Sequence, residues 1–237
     1  MAKNDIISVF CFGQEIGRIG LDEDQHRSSF QYNPEFLQSN QYSSLFPLTG
    51  VLKRAPKVQL FSQFNSETFR GLPPMIADSL PDVFGNIIFK KWLESSDQQF
   101  SQISVIEQLA YVADRGMGAL EYRPSKELPQ TSSIDLTEII TVLKAVLHTK
   151  EDLHESRLNH EALLNIFKIG SSAGGARPKI LISENTETGE IIPGDLNHSS
   201  DYRHYLVKLN LDDELGYNRE VIEYCYYLTA TYLEITM

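Results

Sequence analysis

The sequence has few cysteines, with Cys11 and Cys225 as the only two among its 237 residues. A disulfide-stapled fold needs several cysteine pairs, and a zinc site needs cysteine or histidine ligands at short, regular spacing. Neither pattern is present, so the sequence indicates neither class. We expect two buried or half-buried thiols in a reducing cytosol.

Long apolar runs are also missing. No segment approaches the roughly 18 consecutive apolar residues that a transmembrane helix needs. The first residues, MAKNDIISVFCFGQEIGRI, alternate as a pair of strands does and lack the pattern of a signal peptide. We therefore expect a cytoplasmic protein with no membrane contact.

Basic residues are outnumbered by acidic ones. The chain has 21 Lys and Arg against 32 Asp and Glu, which gives a formal net charge of -11. A surface that binds nucleic acid directly is normally basic, and no helix-turn-helix element is evident. A hydrophobic content of 41% is enough for a substantial core. We expect a globular protein that contacts DNA only indirectly, through a partner.

The histidines do not form a metal-binding pattern. His148, His154 and His160 recur every six residues, and a step of six residues turns each side chain to a different face of a helix. His198 and His204 have no carboxylate spacing typical of a catalytic triad, and we expect them at the surface. The sequence predicts no metal site.

The first 125 residues are predicted to form a subdomain of mixed sheet and helix. Two apolar runs at 6–12 and 14–21 surround Gly13, as the strands of a hairpin do. A helix is predicted around Trp92, which it should bury. The remaining predicted elements are a strand at 29–32, a helix from Pro34, a short apolar piece at 58–61, a helix at 104–113 and a strand at 119–122.

A polar, proline-bearing segment at 124–133 is predicted to link this subdomain to a second unit that spans 126–237. The apolar spacing in SIDLTEIITVLKAVLH predicts an amphipathic helix. The other predicted elements are a helix at 158–167, a hairpin of strands at 179–183 and 190–192, a strand at 202–209 and a helix at 219–232.

The segment IGSSAGGARPKILI at 169–182 places glycines and small residues directly before a strand. Glycine permits positive φ angles and a close approach of the backbone to another group. Such a loop can hold phosphates with its amides, or it can be a flexible linker. The segment alone leaves both alternatives open.

The order of elements resembles the N-lobe of a protein kinase, because a glycine loop is followed by strands, a strand lysine and a helix glutamate. Five motifs together resemble the HipA-family serine/threonine kinases of bacterial toxin–antitoxin systems. They are ADSLPDVFGNIIFKKWL, LAYVADRGMGALEYRP, IGSSAGGARPKILI, HYLVKLN and EVIEYCYYL. The resemblance implies an α+β fold in which a HipA-like N-terminal subdomain (1–125) precedes a partial kinase N-lobe (126–237), with the C-lobe absent.

The resemblance also implies roles for individual residues. Lys208 would bind the α- and β-phosphates of ATP, Glu223 would hold Lys208 as its ion-pair partner, and Lys179 would add a second positive charge. Taken singly, Lys208 could be an ordinary strand lysine and Glu223 an exposed helix residue. The residues expected to fold over the phosphates are Gly170, Ser171, Ser172, Ala173, Gly174 and Gly175.

Ser172 matches the position of the loop serine that is autophosphorylated in some members of the family. A phosphate there would add about two negative charges where the phosphates of ATP should lie. We expect phosphorylated Ser172 to oppose nucleotide binding.

Phosphoryl transfer also needs a catalytic aspartate, an asparagine and a metal-holding aspartate. The sequence ends soon after Lys208, and no aspartate follows Asp213. We therefore expect no catalytic residues within this chain and no turnover by it alone. ATP and Mg²⁺ are implied for the complete kinase, and weak or absent ATP binding is expected for residues 1–237.

Two functions remain open. One is the N-terminal fragment of a HipA-like toxin kinase, whose partners would be a HipB-like antitoxin, the missing kinase C-lobe and a protein substrate. The alternative is a non-enzymatic protein from a split or degraded kinase that retains the antitoxin-binding surface. In either case an apolar helix face with Tyr224, Tyr227 and Leu228 should be exposed.

Overall fold

The protein has a mixed α+β fold of antiparallel sheets and helices. The computed structural model describes residues 6–22, 27–39, 57–61, 68–116, 118–129, 134–148, 160–170, 178–194, 200–209 and 218–236. No helix among them is long and apolar enough to cross a membrane.

The first sheet has five antiparallel strands in the order β4-β3-β2-β1-β5. Phe12 and Gly13 both have positive φ angles, 49° and 77°, at the turn between the first two strands. Two positive φ angles suit the twist of a tight hairpin, so the predicted hairpin around Gly13 is confirmed. The strands are β1 (Ile6–Cys11), β2 (Gln14–Asp22), β3 (Arg27–Tyr32), β4 (Gln59–Phe61) and β5 (Leu120–Arg123).

Helices pack on both sheets, and two of these helices begin at residues whose side chains cap the N-terminus. Asp82 caps one helix by accepting a hydrogen bond from the Gly85 amide at 2.7 Å. Ser104 and Glu107 form a capping box at the start of another. The helices are α1 (Pro34–Gln38), α2 (Pro74–Ala77), α3 (Val83–Ser95), α4 (Val105–Val112), α5 (Leu136–His148), α6 (His160–Gly170) and α7 (Arg219–Tyr232).

A first hydrophobic core lies between the five-stranded sheet and helices α1, α2 and α4. Alternation along β1 and β2 directs one set of side chains into this core. The Tyr122 hydroxyl is buried and donates to Ser79 Oγ at 2.7 Å, and burial raises the pKa of Tyr122. Further members of the core include Ile7, Val9, Ile16, Ile19, Phe36, Leu72, Ile76, Ile106 and Leu109.

Gly17 is needed where β2 passes β3. A β-carbon at this position would lie 2.5 Å from the Gln31 carbonyl oxygen and 2.5 Å from the Phe30 ring. The carbonyl is part of the sheet and cannot move without disturbing the pairing of the two strands.

We therefore predict that Gly17→Ala lowers the free energy of unfolding by about 1–3 kcal/mol, the usual cost of overpacking. Gly118→Ala is the matched control, since a β-carbon there would meet nothing within 4 Å. Urea denaturation measures both variants. Equal stability of the two would contradict the close approach at Gly17.

The second sheet has three antiparallel strands in the order β7-β6-β8. The strands are β6 (Lys179–Asn185), β7 (Ile191–Pro193) and β8 (Tyr202–Lys208). The predicted hairpin of β6 and β7, the strand β8 and the bounds 219–232 of helix α7 are confirmed. One face of this sheet packs on helices α5 and α6.

A second core joins this sheet to helix α3, which lies much earlier in the sequence. The Trp92 and Phe167 rings stack with centroids 5.7 Å apart and planes at 2°. Phe89 stacks on Phe167 at 4.6 Å and contacts Tyr111 edge to face at 5.1 Å. Such aromatic contacts add to the free energy gained from burial alone. Helix α3 therefore lies before residue 125 in sequence but packs with elements that follow it.

We predict that Phe89→Ala lowers the free energy of unfolding by about 3–5 kcal/mol, because it empties the centre of this aromatic cluster. Val83→Ala on the same helix should change it by no more than about 0.5 kcal/mol, since Val83 is 82% exposed. Thermal or urea denaturation of both variants checks the difference. A mild effect of Phe89→Ala would show that α3 contributes little to the second core.

The two cysteines differ in their exposure to water. Cys11 is buried in β1, and burial, with a smaller contribution from the charge of Glu121, raises the pKa of its thiol. Cys225 is exposed, so the expectation of two buried or half-buried thiols is wrong for this residue. The reason is that helix α7, which carries Cys225, buries none of its residues.

Candidate functional site

The candidate site lies on the face of the second sheet that is turned away from the core. Ile180 and Ile182 of β6 point into the second core. Side chains alternate along a strand, so Lys179 projects from the opposite face, and Lys208 of β8 does the same. The sheet thus places both predicted lysines on one outer surface.

Lys179 and Lys208 are directly paired across the two strands. Directly opposed residues have β-carbons about 5 Å apart, and like charges in this arrangement destabilise a sheet. Two opposed lysines concentrate positive charge on this face, and positive charge attracts anions. A carboxylate or phosphate near them reduces their mutual repulsion.

Helix α7 brings Glu223 to this surface. The Asn218 side chain caps the helix by accepting a hydrogen bond from the Val221 amide at 3.1 Å. Glu223 Oε1 then forms an ion pair and a hydrogen bond with Lys208 Nζ. The structure thus brings together Lys179, Lys208 and Glu223, while their role in nucleotide binding stays a prediction.

Both partners of this ion pair are open to water, with Lys208 39% and Glu223 51% exposed. Exposed ion pairs are screened, and they typically contribute less than about 1 kcal/mol to stability. The pair orients the Lys208 ammonium more than it stabilises the fold.

We predict that Glu223→Gln changes the free energy of unfolding by less than about 1 kcal/mol. Glu94→Gln, which weakens exposed ion pairs with Lys90 and Lys91, should have a similarly small effect. Chemical denaturation tests both variants. A loss above about 2 kcal/mol in Glu223→Gln alone would assign this residue a structural role.

The glycine-rich segment is only partly within the described structure. Gly170 is the last residue of helix α6, directly before the rest of the segment. Its predicted contact with phosphates stays a prediction. The other predicted loop residues lie outside the described residues: Ser171, Ser172, Ala173, Gly174 and Gly175.

Two further cross-strand pairs on the lysine-bearing face were not predicted as site residues. Leu181 is paired with Leu206, and Ser183 is paired with His204. Their positions follow from counting alternate residues along the strands from Lys179 and Lys208. The alternation within each strand can be predicted from the sequence, whereas the register that pairs the two strands cannot.

His204 is exposed, as expected, and its imidazole has a defined partner. Its Nδ1 lies 2.7 Å from the Ser183 hydroxyl, which is fully buried. His160 is likewise held by serines, with its Nδ1 2.8 Å from Ser95 Oγ. His148, His154 and His198 have no described side chains.

A cavity of about 470 Å³ opens beside the start of helix α3. Its lining includes Arg70, Asp78, Asp82 and Asn86. Arg70 donates to Gln108 Oε1 at 2.8 Å, and burial lowers the pKa of Arg70. The cavity therefore combines charges of both signs in a partly buried setting.

The family model of the HipA N-terminal domain matches residues 7–123. Residues 7–123 form a HipA-family N-terminal region. This HipA region runs from β1 to the end of β5, and it contains the first core and the Arg70 cavity. No curated protein matches the chain.

The lysine-bearing sheet lies outside the HipA region in sequence. The link between the two is helix α3, which belongs to the HipA region and packs on helix α6 through Phe89, Trp92 and Phe167. The matched residues thus include the whole first core and, through helix α3, part of the second core. The structure gives the positions of Lys179, Lys208 and Glu223, and their roles stay a prediction from the resemblance.

Proposed function

We propose that the chain is the N-terminal part of a HipA-like serine/threonine kinase of a bacterial toxin–antitoxin system. Its lysine-bearing sheet is the partial N-lobe, and Lys179 and Lys208 bind the phosphates of ATP. The HipA region at residues 7–123 supports the family assignment. The ion pair between Lys208 and Glu223, beside Lys179, is the observation that carries the nucleotide site.

The chemistry of these three side chains fits a triphosphate. The polyphosphate of ATP carries several negative charges, and a strand lysine held by a helix carboxylate is the arrangement that kinases use to bind it. Glu223 orients the Lys208 ammonium and leaves it open to water, so an incoming phosphate can reach it. Lys179 supplies a second positive charge on the same face.

The glycine-rich segment completes this proposal. Backbone amides of Gly174, Gly175 and the preceding small residues would donate to phosphate oxygens. Ser172 would be the phosphorylation site within the segment, and its phosphate would compete with ATP for the same cations. In this scheme, modification of Ser172 switches off nucleotide binding.

Phosphoryl transfer itself belongs to the complete kinase in this proposal. It needs carboxylates that hold Mg²⁺ and an aspartate that accepts the proton of the substrate hydroxyl. Among the described residues, no group of three or more His, Cys, Asp or Glu could hold a metal ion. The kinase C-lobe would provide these groups and the surface for the protein substrate.

A second candidate function is an interaction protein that binds a HipB-like antitoxin without catalysis. Helix α7 favours this alternative, because its apolar side chains, among them Tyr224, Tyr226 and Leu228, are exposed to water. Exposed apolar surface of this kind is typical of protein contacts. In either function, DNA would be reached through the antitoxin, in agreement with the net charge of -11.

Titration with ATP tests the proposed site. We predict that Lys208→Met weakens ATP binding by about 10-fold to 100-fold, because a charge-assisted hydrogen bond to phosphate is lost. Lys90→Met is the matched control, since Lys90 is an exposed lysine of helix α3 far from this face in sequence. NMR or calorimetric titration at millimolar ATP suits weak binding.

Equal binding by wild type and Lys208→Met would contradict the proposed nucleotide site. Failure of the wild-type chain to bind ATP, together with stable binding of an antitoxin, would favour the interaction protein.

A further inference from the structure

The lysine-bearing face continues beyond the lysines as an ordered surface. Three cross-strand pairs follow one another on β6 and β8: Lys179 with Lys208, Leu181 with Leu206, and Ser183 with His204. Because alternate residues share a face, all three pairs project from the same side of the sheet. The surface changes from cationic to apolar to hydrogen-bonding along its length.

The apolar middle of this surface is accessible. Leu206 is 48% exposed. Gly194 lies against Leu181, where a β-carbon would come within 2.8 Å of the Leu181 carbonyl carbon. The backbone at the end of β7 therefore stays close to the sheet beside Leu181.

The imidazole at the far end has a defined hydrogen-bond partner. Ser183 is fully buried, and among the described residues its hydroxyl has His204 Nδ1 as its hydrogen-bond partner, 2.7 Å away. A buried hydroxyl needs an acceptor for its hydrogen. If the hydroxyl donates to Nδ1, the neutral imidazole carries its hydrogen on Nε2. The exposed edge of His204 is then a donor.

We propose that His204 recognises the base of the bound nucleotide by donating from Nε2 to an acceptor on the base. This inference rests on the proposed nucleotide site, since it takes the phosphates to lie at Lys179 and Lys208. Ser183 is the positioning residue, because it fixes which nitrogen of His204 carries the hydrogen. The ligand class is a nucleoside triphosphate in an extended conformation.

The spacing on the sheet suits such a ligand. His204 lies four positions from Lys208, which is about 13 Å along a strand. In this proposal the phosphates lie at the lysines, the flat face of the base lies over Leu206, and an acceptor at the edge of the base meets His204. A phosphate-only ligand would use the lysines and leave His204 untouched.

The tautomer of the His204 imidazole can be measured in the absence of ligand. Long-range ¹H–¹⁵N NMR of the wild-type chain should show His204 in the form with hydrogen on Nε2 and none on Nδ1. Ser183→Ala should reduce that preference. A wild-type imidazole that carries its hydrogen on Nδ1 would overturn the donor role.

Binding of ATP and of inorganic tripolyphosphate to the whole chain then tests recognition. His204→Phe keeps a flat ring but removes the donor, so ATP affinity should fall by about 5-fold, the usual effect of one hydrogen bond. Tripolyphosphate affinity should not change, which also shows that the variant is folded. Tyr205→Phe, on the core-facing side of the same strand, should bind both ligands as the wild type does.

The outcomes separate this inference from the proposed function. Unchanged ATP affinity in His204→Phe, with tripolyphosphate still bound, overturns the role of His204 and leaves the phosphate site in place. An equal loss of ATP and tripolyphosphate affinity also overturns base recognition. Absence of binding of both ligands by the wild type overturns the proposed function and the inference together.

Discussion

The stacking of Phe89 and Trp92 on Phe167 is the contact on which the arrangement of the molecule depends. It joins helix α3 of the HipA region to helix α6, and α6 in turn supports the three-stranded sheet. A closely packed core has few voids that could absorb a displaced side chain. A shift of one ring in the core therefore displaces its neighbours. The position of the lysine-bearing face is thus tied to the HipA region through a small set of rings.

The charged groups on that face contribute little to stability. Lys179 opposes Lys208 across the sheet, and Lys208 pairs with the exposed Glu223. In the proposed function these groups serve to bind a triphosphate, whose negative charges would be attracted to the two lysines.

Many helices and strands could be predicted because interactions between residues close in sequence determine where they begin and end. The hairpin at Gly13 follows from turn geometry, and the bounds of helix α7 follow from its cap and its spacing. The pairing of Lys208 with Glu223 followed from the order of elements in a family resemblance. The packing of α3 into the second core was not predicted, because apolar periodicity marks a buried face but does not identify what covers it.

The site was predictable only in part for the same reason. The predicted helix at 158–167 differs from helix α6, which ends at Gly170. Ser183 and His204 become partners only through the register of β6 and β8, which depends on long-range pairing. Single-sequence patterns contain the alternation within each strand and not the alignment between strands.

The central claim is that a nucleotide lies along the face that carries Lys179 and Lys208. A crystal structure of the chain with a non-hydrolysable ATP analogue tests it most directly. The account predicts phosphate oxygens within hydrogen-bonding distance of Lys208 Nζ and the base over Leu206. An analogue bound elsewhere, with the Lys208–Glu223 pair unchanged and no phosphate near it, would contradict the account.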